Sequence, residues 1–210
     1  MRRRHCILVV LTALLVSVAC ADPASAVNQQ AAGSQDCGLT PEELDVYSAT
    51  IQELLLKDHD DSARVIIRER TSTGYPPGMA SMKSSEENER DVLASASVET
   101  RGDFDTRNKS ACKLDPHIRP VERIQLLTFL EEQVVFPRGS GSWKAFYKKY
   151  PGATGFTILS RIGFNSAHDQ ALVYLGNSCE LLCGRGRLVL LRKHKANWKI
   201  VKQGDIWVAS

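Results

Sequence analysis

The chain has 210 residues, of which 43% are hydrophobic and 24% are charged, and its formal net charge is +3. This length suffices for one domain with a sizeable core. No run of Lys and Arg is longer than a few residues and no nucleic-acid-binding motif is present, so we expect no nucleic-acid partner. Beyond residue 26 no apolar segment is as long as a membrane span, so we expect no transmembrane helix there.

The N-terminal residues have the pattern of a secretory signal peptide. Arginines at positions 2–4 precede the uncharged apolar run 6–19, and small residues then offer cleavage after Ala21 or Ala26. A positive start, a short apolar run and a small-residue cleavage site are typical of such a signal, whereas the run is short for a bilayer-spanning helix. We therefore predict that residues 1–26 are a signal peptide and that the mature protein is periplasmic or extracellular.

Two other fates of this segment remain open. It can stay as an N-terminal anchor helix, or Cys20, which follows the small residue Ala19, can be the lipidated residue of a lipoprotein. A large aliphatic residue normally stands three positions before such a cysteine, where this chain has Ser17. Either fate would hold the folded domain at a membrane surface.

Charge is distributed unevenly along the rest of the sequence. Residues 27–110 contain 16 acidic and 9 basic side chains, whereas residues 111–210 contain 7 acidic and 15 basic ones. The basic C-terminal half is a candidate surface for an anionic envelope component. The alternative is that the two halves neutralise each other or are simply solvated.

Four cysteines remain after the signal region, and an even number in an exported chain indicates two disulfides. Three pairings are possible. We favour Cys179–Cys183, because these two residues share one tight turn, and this choice leaves Cys37 to pair with Cys112.

The first elements are a flexible lead-in and a helix. Residues 27–39 are the lead-in, of which 27–36 are small and polar. Thr40-Pro41-Glu42-Glu43 then places a Thr cap, a Pro and a Glu at the positions that start helices. Apolar residues recur after this start at helical spacing and predict a helix to about residue 57 with one buried stripe: Leu44, Tyr47, Ile51, Leu54 and Leu55.

The middle of the chain contains weaker signals. Residues 58–61, with the sequence DHDD, are interpreted as a solvated turn rather than a metal site, because no second ligand cluster accompanies them. Alternation predicts strands over 63–71 and 123–129. Turn residues and charges predict an exposed loop over 71–90, and a helix is expected over 88–100.

A second clear helix begins at the Ser142 cap and ends before Pro151. Its aromatic residues fall on one stripe: Trp143, Phe146, Tyr147 and Tyr150. Rings at this spacing could line a ligand pocket, but they more often pack in a core. We therefore predict a core role.

The C-terminal third alternates short apolar runs with turn residues, and it predicts four strands over 157–164, 171–176, 187–194 and 198–208. Residues 193–197 form the expected last hairpin turn, and glycines 184 and 186 are expected to supply unusual backbone angles or a bulge. The fold class is therefore α+β. We predict a single domain over 40–210, with helices on one face of a curved, mainly antiparallel sheet whose last four strands form a meander.

Several motifs resemble, in this order, an uncharacterised family of exported bacterial proteins: VYSATIQEL, RVIIRERTS, ETRGDFDTRN, WKAFYKKYPGATG, SRIGFN, QALVYLGNSCELLCGRG and NWKI. The likeness covers most of residues 45–210. It implies an exported bacterial domain and provides no site residues. The NWKI segment is also similar to the last strands of cone-shaped domains related to nuclear transport factor 2, which is a likeness of fold and implies no function.

Two groups of residues are candidates for chemistry. A thiol enzyme would use Cys183 as nucleophile with His168 and Asp169, provided that the cysteine is free and the three lie close together. Separately, polar residues can converge at one end of the sheet as a ligand pocket: Arg161, Asn165, His168 and Tyr174.

The sequence thus predicts an exported protein that is a non-catalytic binding module, and the alternative is a small secreted hydrolase or thiol enzyme using Cys183 and His168. No zinc, phosphate-loop or hydrolase motif is present in the sequence. We therefore expect no metal and no cofactor.

Overall fold

A mixed sheet of seven strands organises the computed structural model, which describes residues 36–73, 83–137, 142–180 and 183–209. The predicted signal peptide, Cys20 and most of the lead-in lie outside these residues. The strands are β1 (Arg64–Arg68), β2 (Ile124–Leu127), β3 (Ala153–Leu159), β4 (Gly163–Phe164), β5 (Gln170–Ser178), β6 (Gly184–His194) and β7 (Asn197–Val208). Their order is β2–β1–β3–β5–β6–β7, and β4 also pairs with β5.

The C-terminal strands form the predicted antiparallel meander. β5 pairs with β6 along its whole length, and β6 pairs with β7 across a turn at Lys195 and Ala196. The strand expected over 157–164 is divided into β3 and β4, which both pair antiparallel with β5. At the division, the Ser160 hydroxyl accepts a hydrogen bond from the backbone N–H of Tyr174 at 2.8 Å. The α+β class and the mainly antiparallel sheet are confirmed.

The other end of the sheet is parallel. β1 lies between β2 and β3 and is parallel to both. The two strands predicted over 63–71 and 123–129 are therefore present as β1 and β2, and their shared direction gives the sheet its mixed character.

Five helices lie among the described residues: α1 (Pro41–Ile51), α2 (Lys83–Ser95), α3 (Val98–Arg107), α4 (Phe129–Val135) and α5 (Trp143–Lys149). The predicted start of α1 is confirmed as a capping box. The Glu43 N–H donates to Thr40 Oγ1 at 3.2 Å, and the Thr40 N–H donates to Glu43 Oε2 at 2.8 Å. Such a reciprocal cap satisfies two N–H groups that a helix start leaves without partners.

The helices cover both faces of the sheet, so the expectation of helices on one face was wrong. Val173 of β5 packs with Tyr47 of α1 in one cluster, whereas its neighbour Tyr174 packs with Val92 of α2 and Phe104 of α3 in another. Successive strand residues point to opposite faces, and β5 is apolar on both. A strand of this kind requires cover on both sides.

Aromatic residues form a third cluster at the parallel end of the sheet, beneath α4 and α5. Phe146 and Tyr150 are buried there with Ile66 of β1, and Phe136 and Phe156 pack against them. The core interpretation of the aromatic stripe is confirmed for this helix.

The segment before α3 differs from its prediction. Residues 83–95 form helix α2, so the second half of the expected loop over 71–90 was wrong, and residues 74–82 lie outside the described part. The helix expected over 88–100 is two helices, because Ser97 begins α3 by accepting the Thr100 N–H at 3.1 Å. α2 carries few apolar residues, and it is held partly by polar contacts, such as that from Asn88 Nδ2 to the Asp205 carbonyl.

Both predicted disulfides are present. Cys37 and Cys112 have Cα atoms 4.9 Å apart and tie the chain before α1 to the segment after α3. Cys179 and Cys183, with Cα atoms 5.1 Å apart, close the β5–β6 hairpin. Two disulfides point to an oxidising compartment. In the part of the chain that the structure describes, no helix combines the length and hydropathy that a membrane span requires.

Candidate functional site

The structure does not bring the candidate catalytic residues together. Cys183 is bonded to Cys179 at one end of the β5–β6 hairpin, whereas His168 and Asp169 precede β5 at its other end. β5 has nine residues, so about 30 Å separates the two ends at the usual rise of a strand. A sulfur bonded in a disulfide also provides no thiolate for nucleophilic attack.

The polar residues expected to converge at one sheet end are separated as well. Tyr174 is fully buried beside α2 and α3, where its hydroxyl accepts a hydrogen bond from Trp207 Nε1 at 2.8 Å. Burial raises the pKa of Tyr174 to about 12, and the hydrogen bond from Trp207 offsets only part of this effect. Arg161 borders α3, where its N–H donates to Asn108 Oδ1 at 2.8 Å.

Asn165 and His168 do come together, in the turn between β4 and β5. Asn165 Oδ1 accepts the N–H groups of Asp169 and Gln170 at 3.1 and 3.0 Å. His168 has a left-handed backbone with φ of 53°, which costs a residue with a side chain about 1 kcal/mol or more. Its ring stacks on Phe164, with centroids 5.1 Å apart.

A network of hydrogen bonds and ion pairs surrounds this turn. His168 Nδ1 lies 2.7 Å from Glu42 Oε2, and Lys193 Nζ lies 2.6 Å from Glu42 Oε1. Burial alone would raise the pKa of Glu42, but hydrogen bonds from Lys193 and His168 outweigh it and hold this pKa below its ordinary value. Arg107 Nη1 lies 2.5 Å from Glu43 Oε1 and ties α3 to the same helix start.

The cleft beside this network has a volume of about 300 Å³. Its carboxylates have partners within the protein. Glu99 Oε2 accepts the N–H and the hydroxyl of Ser166 at 3.0 and 2.6 Å, which lowers the pKa of Glu99. Asp103 Oδ2 accepts the Phe164 N–H at 2.8 Å and lies 3.2 Å from Arg107 Nε. A ligand would have to displace these bonds, so we interpret the cleft as a clamp that joins α1, α3 and the turn before β5.

The opposite end of the sheet is different, because there the sheet extends beyond α1. On the face that α1 covers, the buried residues of β5 end at Leu175, and the next residue on this face is Asn177. On β6 the same face changes from buried Val189 to Arg187 and Arg185. Since alternate residues share a face, a partly polar stretch of sheet remains uncovered beyond the helix end.

This uncovered stretch is a groove of about 500 Å³, here called the hairpin groove. The volume is in the range of pockets that hold small molecules. Its apolar lining consists of Leu54, Leu55, Leu175, Val208, Ala209 and the Cys179–Cys183 disulfide. Its polar side chains are His59, Thr154, Asn177, Arg185 and Arg187.

A π-helical turn, Gln52–Leu56, gives the groove its apolar rim. α1 buries residues at positions 46, 47, 50 and 51, so an unbroken α-helix would next bury positions 54 and 55. The wider turn instead buries Leu56 and leaves Leu54 and Leu55 half-buried above the groove. The end of the predicted stripe was therefore wrong by one residue. Single π turns frequently mark functional sites.

Two arginines make the groove cationic. Arg187 Nε lies 3.2 Å from Asp205 Oδ1, and Arg185 Nε lies 3.7 Å from the same oxygen. Two guanidinium groups thus share one carboxylate, which leaves one positive charge in excess. Guanidinium groups bind carboxylate and phosphate oxygens through paired hydrogen bonds.

Glycines allow the strands to meet closely at this end. A Cβ on Gly155, whose φ is 118°, would lie 2.3 Å from the Ser178 carbonyl oxygen. A Cβ on Gly186 would lie 1.9 Å from Trp207 Nε1 on the other face. Gly186 therefore serves packing, although the expected bulge is present as a register shift between Gly186 and Arg187. Of the two alternatives expected at Gly184 and Gly186, the bulge is therefore the one that is present, since neither glycine has a positive φ.

A larger and more open depression of about 1100 Å³ adjoins the groove along β7 and shares Leu54 and Arg187 with it. Its lining mixes charges of both signs, such as Glu53 and Lys199. Within the described ranges, no three His, Cys, Asp or Glu side chains lie close enough to hold a metal ion. We take the hairpin groove as the candidate site, because it combines an apolar lining with two arginines that share one carboxylate.

Comparisons with known proteins do not assign the chain to a family. No protein-family model matches it, and neither a curated protein nor a solved structure matches it significantly. The resemblance to exported bacterial proteins and the likeness of the last strands to nuclear transport factor 2 domains stay predictions.

The polar residues of the groove were not singled out as a site from the sequence, although one signal was present. On β6 the residues of one face read Arg185, Arg187, Val189 and Leu191, so the face changes from charged to apolar within one strand. Such a change indicates where the cover of a sheet ends. His59 belongs to the turn interpreted as solvated, and only the fold shows that it borders this groove.

Proposed function

We propose that the protein is an exported, non-catalytic binding module that holds a small amphipathic anion in the hairpin groove. The observation that carries this proposal is the meeting of an apolar lining with two arginines that share one carboxylate. An apolar ligand body would cover Leu55 and Val208, and an anionic group would bind Arg187 and Arg185. Pockets of this size usually combine apolar surface with a few polar groups that set orientation.

The proposed location is the periplasm or the outside of a bacterial cell. The two disulfides support an oxidising compartment, and the N-terminal pattern supports export. Cleavage after Ala21 or Ala26 and lipidation at Cys20 are distinct outcomes of the same segment. Mass spectrometry of the protein recovered from cells separates them, because it reports the new N-terminus and any acyl mass.

Calorimetric titration with decyl phosphate tests the ligand site, with decyltrimethylammonium as the probe of opposite charge and both kept below micelle formation. Decyl phosphate should bind and the cation should not. Arg187→Gln should weaken decyl phosphate binding about tenfold or more, since a hydrogen bond to a charged group contributes about 1.5–3 kcal/mol. Arg192→Gln is the matched control, because Arg192 is exposed near the opposite end of the same strand.

A second variant tests the apolar part of the site. Leu55→Gln places a polar group on the half-buried rim and should weaken decyl phosphate binding while the fold is retained. Equal affinity of the cationic and anionic probes, or equal weakening by Arg187→Gln and Arg192→Gln, would contradict a specific anion site in the hairpin groove. Thermal unfolding of each variant confirms that the fold is intact.

A further inference from the structure

Helix α4 turns apolar side chains toward solvent. Its exposed residues Phe129, Leu130 and Val134 have relative exposures of 58%, 75% and 77%. Leu130 and Val134 lie one helical turn apart, and Phe129 is beside them. The other large exposed apolar residues of the described ranges, Val98, Val121, Val201 and Val208, belong to other elements. Helices on protein surfaces normally expose polar residues, so three apolar ones on a single short helix indicate a contact surface.

The acidic residues of α4 are neutralised on its inner side. Glu131 Oε1 lies 2.9 Å from Lys149 Nζ, and Glu132 Oε1 lies 2.5 Å from Arg68 Nη2. Both carboxylates are only partly exposed. The apolar face is therefore bordered by no excess negative charge from its own helix.

The neighbouring helix supplies positive charge. Lys144 and Lys148 are exposed on α5, and among the described residues neither has an acidic partner within ion-pair distance. α4 and α5 are neighbours, because Lys149 pairs with Glu131 and Phe136, next to the end of α4, packs against Trp143. The two lysines therefore belong to the helix beside the apolar face. Trp143 and Tyr147 are half-buried on the same helix.

The combination has the chemistry of a membrane interface. Apolar side chains enter the boundary between headgroups and acyl chains, lysines contact anionic headgroups, and Trp and Tyr favour this depth. We favour a lipid surface over a protein partner because exposed lysines, half-buried Trp and Tyr and an exposed apolar helix face occur together on two neighbouring helices. We propose that α4 and α5 dock the domain onto the surface of a bilayer that contains anionic lipid. This surface is separate from the hairpin groove.

Vesicle flotation tests this docking with the full-length protein carrying Cys20→Ser, so that no acyl chain contributes. The vesicles are phosphatidylglycerol and phosphatidylcholine in equal parts, or phosphatidylcholine alone. Binding is expected to the anionic vesicles only and should weaken with added salt. Lys144→Gln with Lys148→Gln should reduce partitioning about fivefold for each lysine. Leu130→Gln with Val134→Gln should reduce it at least tenfold, since each buried apolar group contributes to interfacial binding.

Val98→Gln with Val201→Gln is the matched control, because it changes two valines that are 75% and 50% exposed on other elements. It should bind as the parent does. The proposal is overturned if Leu130→Gln with Val134→Gln binds as well as the parent, which would assign binding to another segment such as residues 6–19. It is also overturned if sedimentation velocity shows a dimer that this double variant abolishes while vesicles remain unbound. That result would show that a second copy of the chain covers the face.

Discussion

Substitution of Gly186 by alanine tests whether the packing of Trp207 over this glycine stabilises the sheet next to the hairpin groove. The added Cβ would lie 1.9 Å from Nε1 and 2.5 Å from Cδ1 of Trp207. These atoms belong to a rigid ring that is 7% exposed, so the ring must move as a unit. Its movement would break the 2.8 Å hydrogen bond from Trp207 to Tyr174. Overpacking costs about 1–3 kcal/mol and a lost buried hydrogen bond about 1–3 kcal/mol, so we expect Gly186→Ala to lower the free energy of unfolding by about 3 kcal/mol.

Urea unfolding followed by tryptophan fluorescence measures this loss, and the midpoint of thermal unfolding should fall by about 6–12 °C for a chain of this size. Gly102→Ala is the matched control. Gly102 lies inside α3 with no atom within 4 Å of an added Cβ, so alanine there should stabilise by up to about 1 kcal/mol. If Gly186→Ala unfolds within about 0.5 kcal/mol of the wild type, the packing of Trp207 over this glycine does not have the role that we assign to it.

Three further expectations follow. Hydrogen bonds from Lys149 and Thr128 lower the pKa of Glu131 from 4.5 to about 2, so its stabilising contribution is present above pH 4.5 and is lost as the pH falls toward 2. In urea titrations, Glu131→Gln should therefore lower the free energy of unfolding by about 1–2 kcal/mol at pH 7 and by little at pH 2. The loss is small because the ion pair is partly exposed. An equal loss at both pH values would argue against the ion pair. Titration of the native, non-reduced mature protein, from which residues 1–26 have been removed, with a thiol reagent should find no free thiol among the four paired cysteines, and two reactive thiols per molecule would disprove a disulfide. Gly155→Ala should lower the thermal midpoint more than Gly38→Ala, because both glycines have positive φ but only Gly155 lacks space for a Cβ; equal effects would show that backbone strain alone decides.

The features predicted correctly from the sequence are those whose interacting residues lie close together in the chain. The Thr40–Glu43 capping box lies within four residues, and the aromatic stripe from Trp143 to Tyr150 follows the period of one helix. The Cys179–Cys183 pair is closed by the hairpin turn that contains it. For each of these features, the interacting groups are adjacent in sequence or share a single element, so spacing alone indicates the contact.

Contacts between distant segments were not predicted. β1 and β2 pair in parallel across about sixty residues, as in Val65 with Ile124, and strand periodicity indicates a face but not a neighbour. α2 has few apolar residues besides Val92, so its sequence alone resembles that of a loop. In the fold this helix packs against the C-terminal strands.

The candidate site was missed for a related reason. Arg185 and Arg187 form part of a groove only because α1 ends before the sheet does, and the relative lengths of two elements are a property of the assembled fold.

The π turn at Gln52–Leu56 also has a genetic consequence. A π turn contains one residue more than an α-helical turn requires, so removing the single codon for Gln52 would let α1 continue as an α-helix. Leu55 would then join Leu56 on the inner face, and the rim of the groove would close over the sheet. Insertion or loss of one codon in a helix can thus open or close a groove in this scaffold, while every residue of the sheet beneath it stays the same.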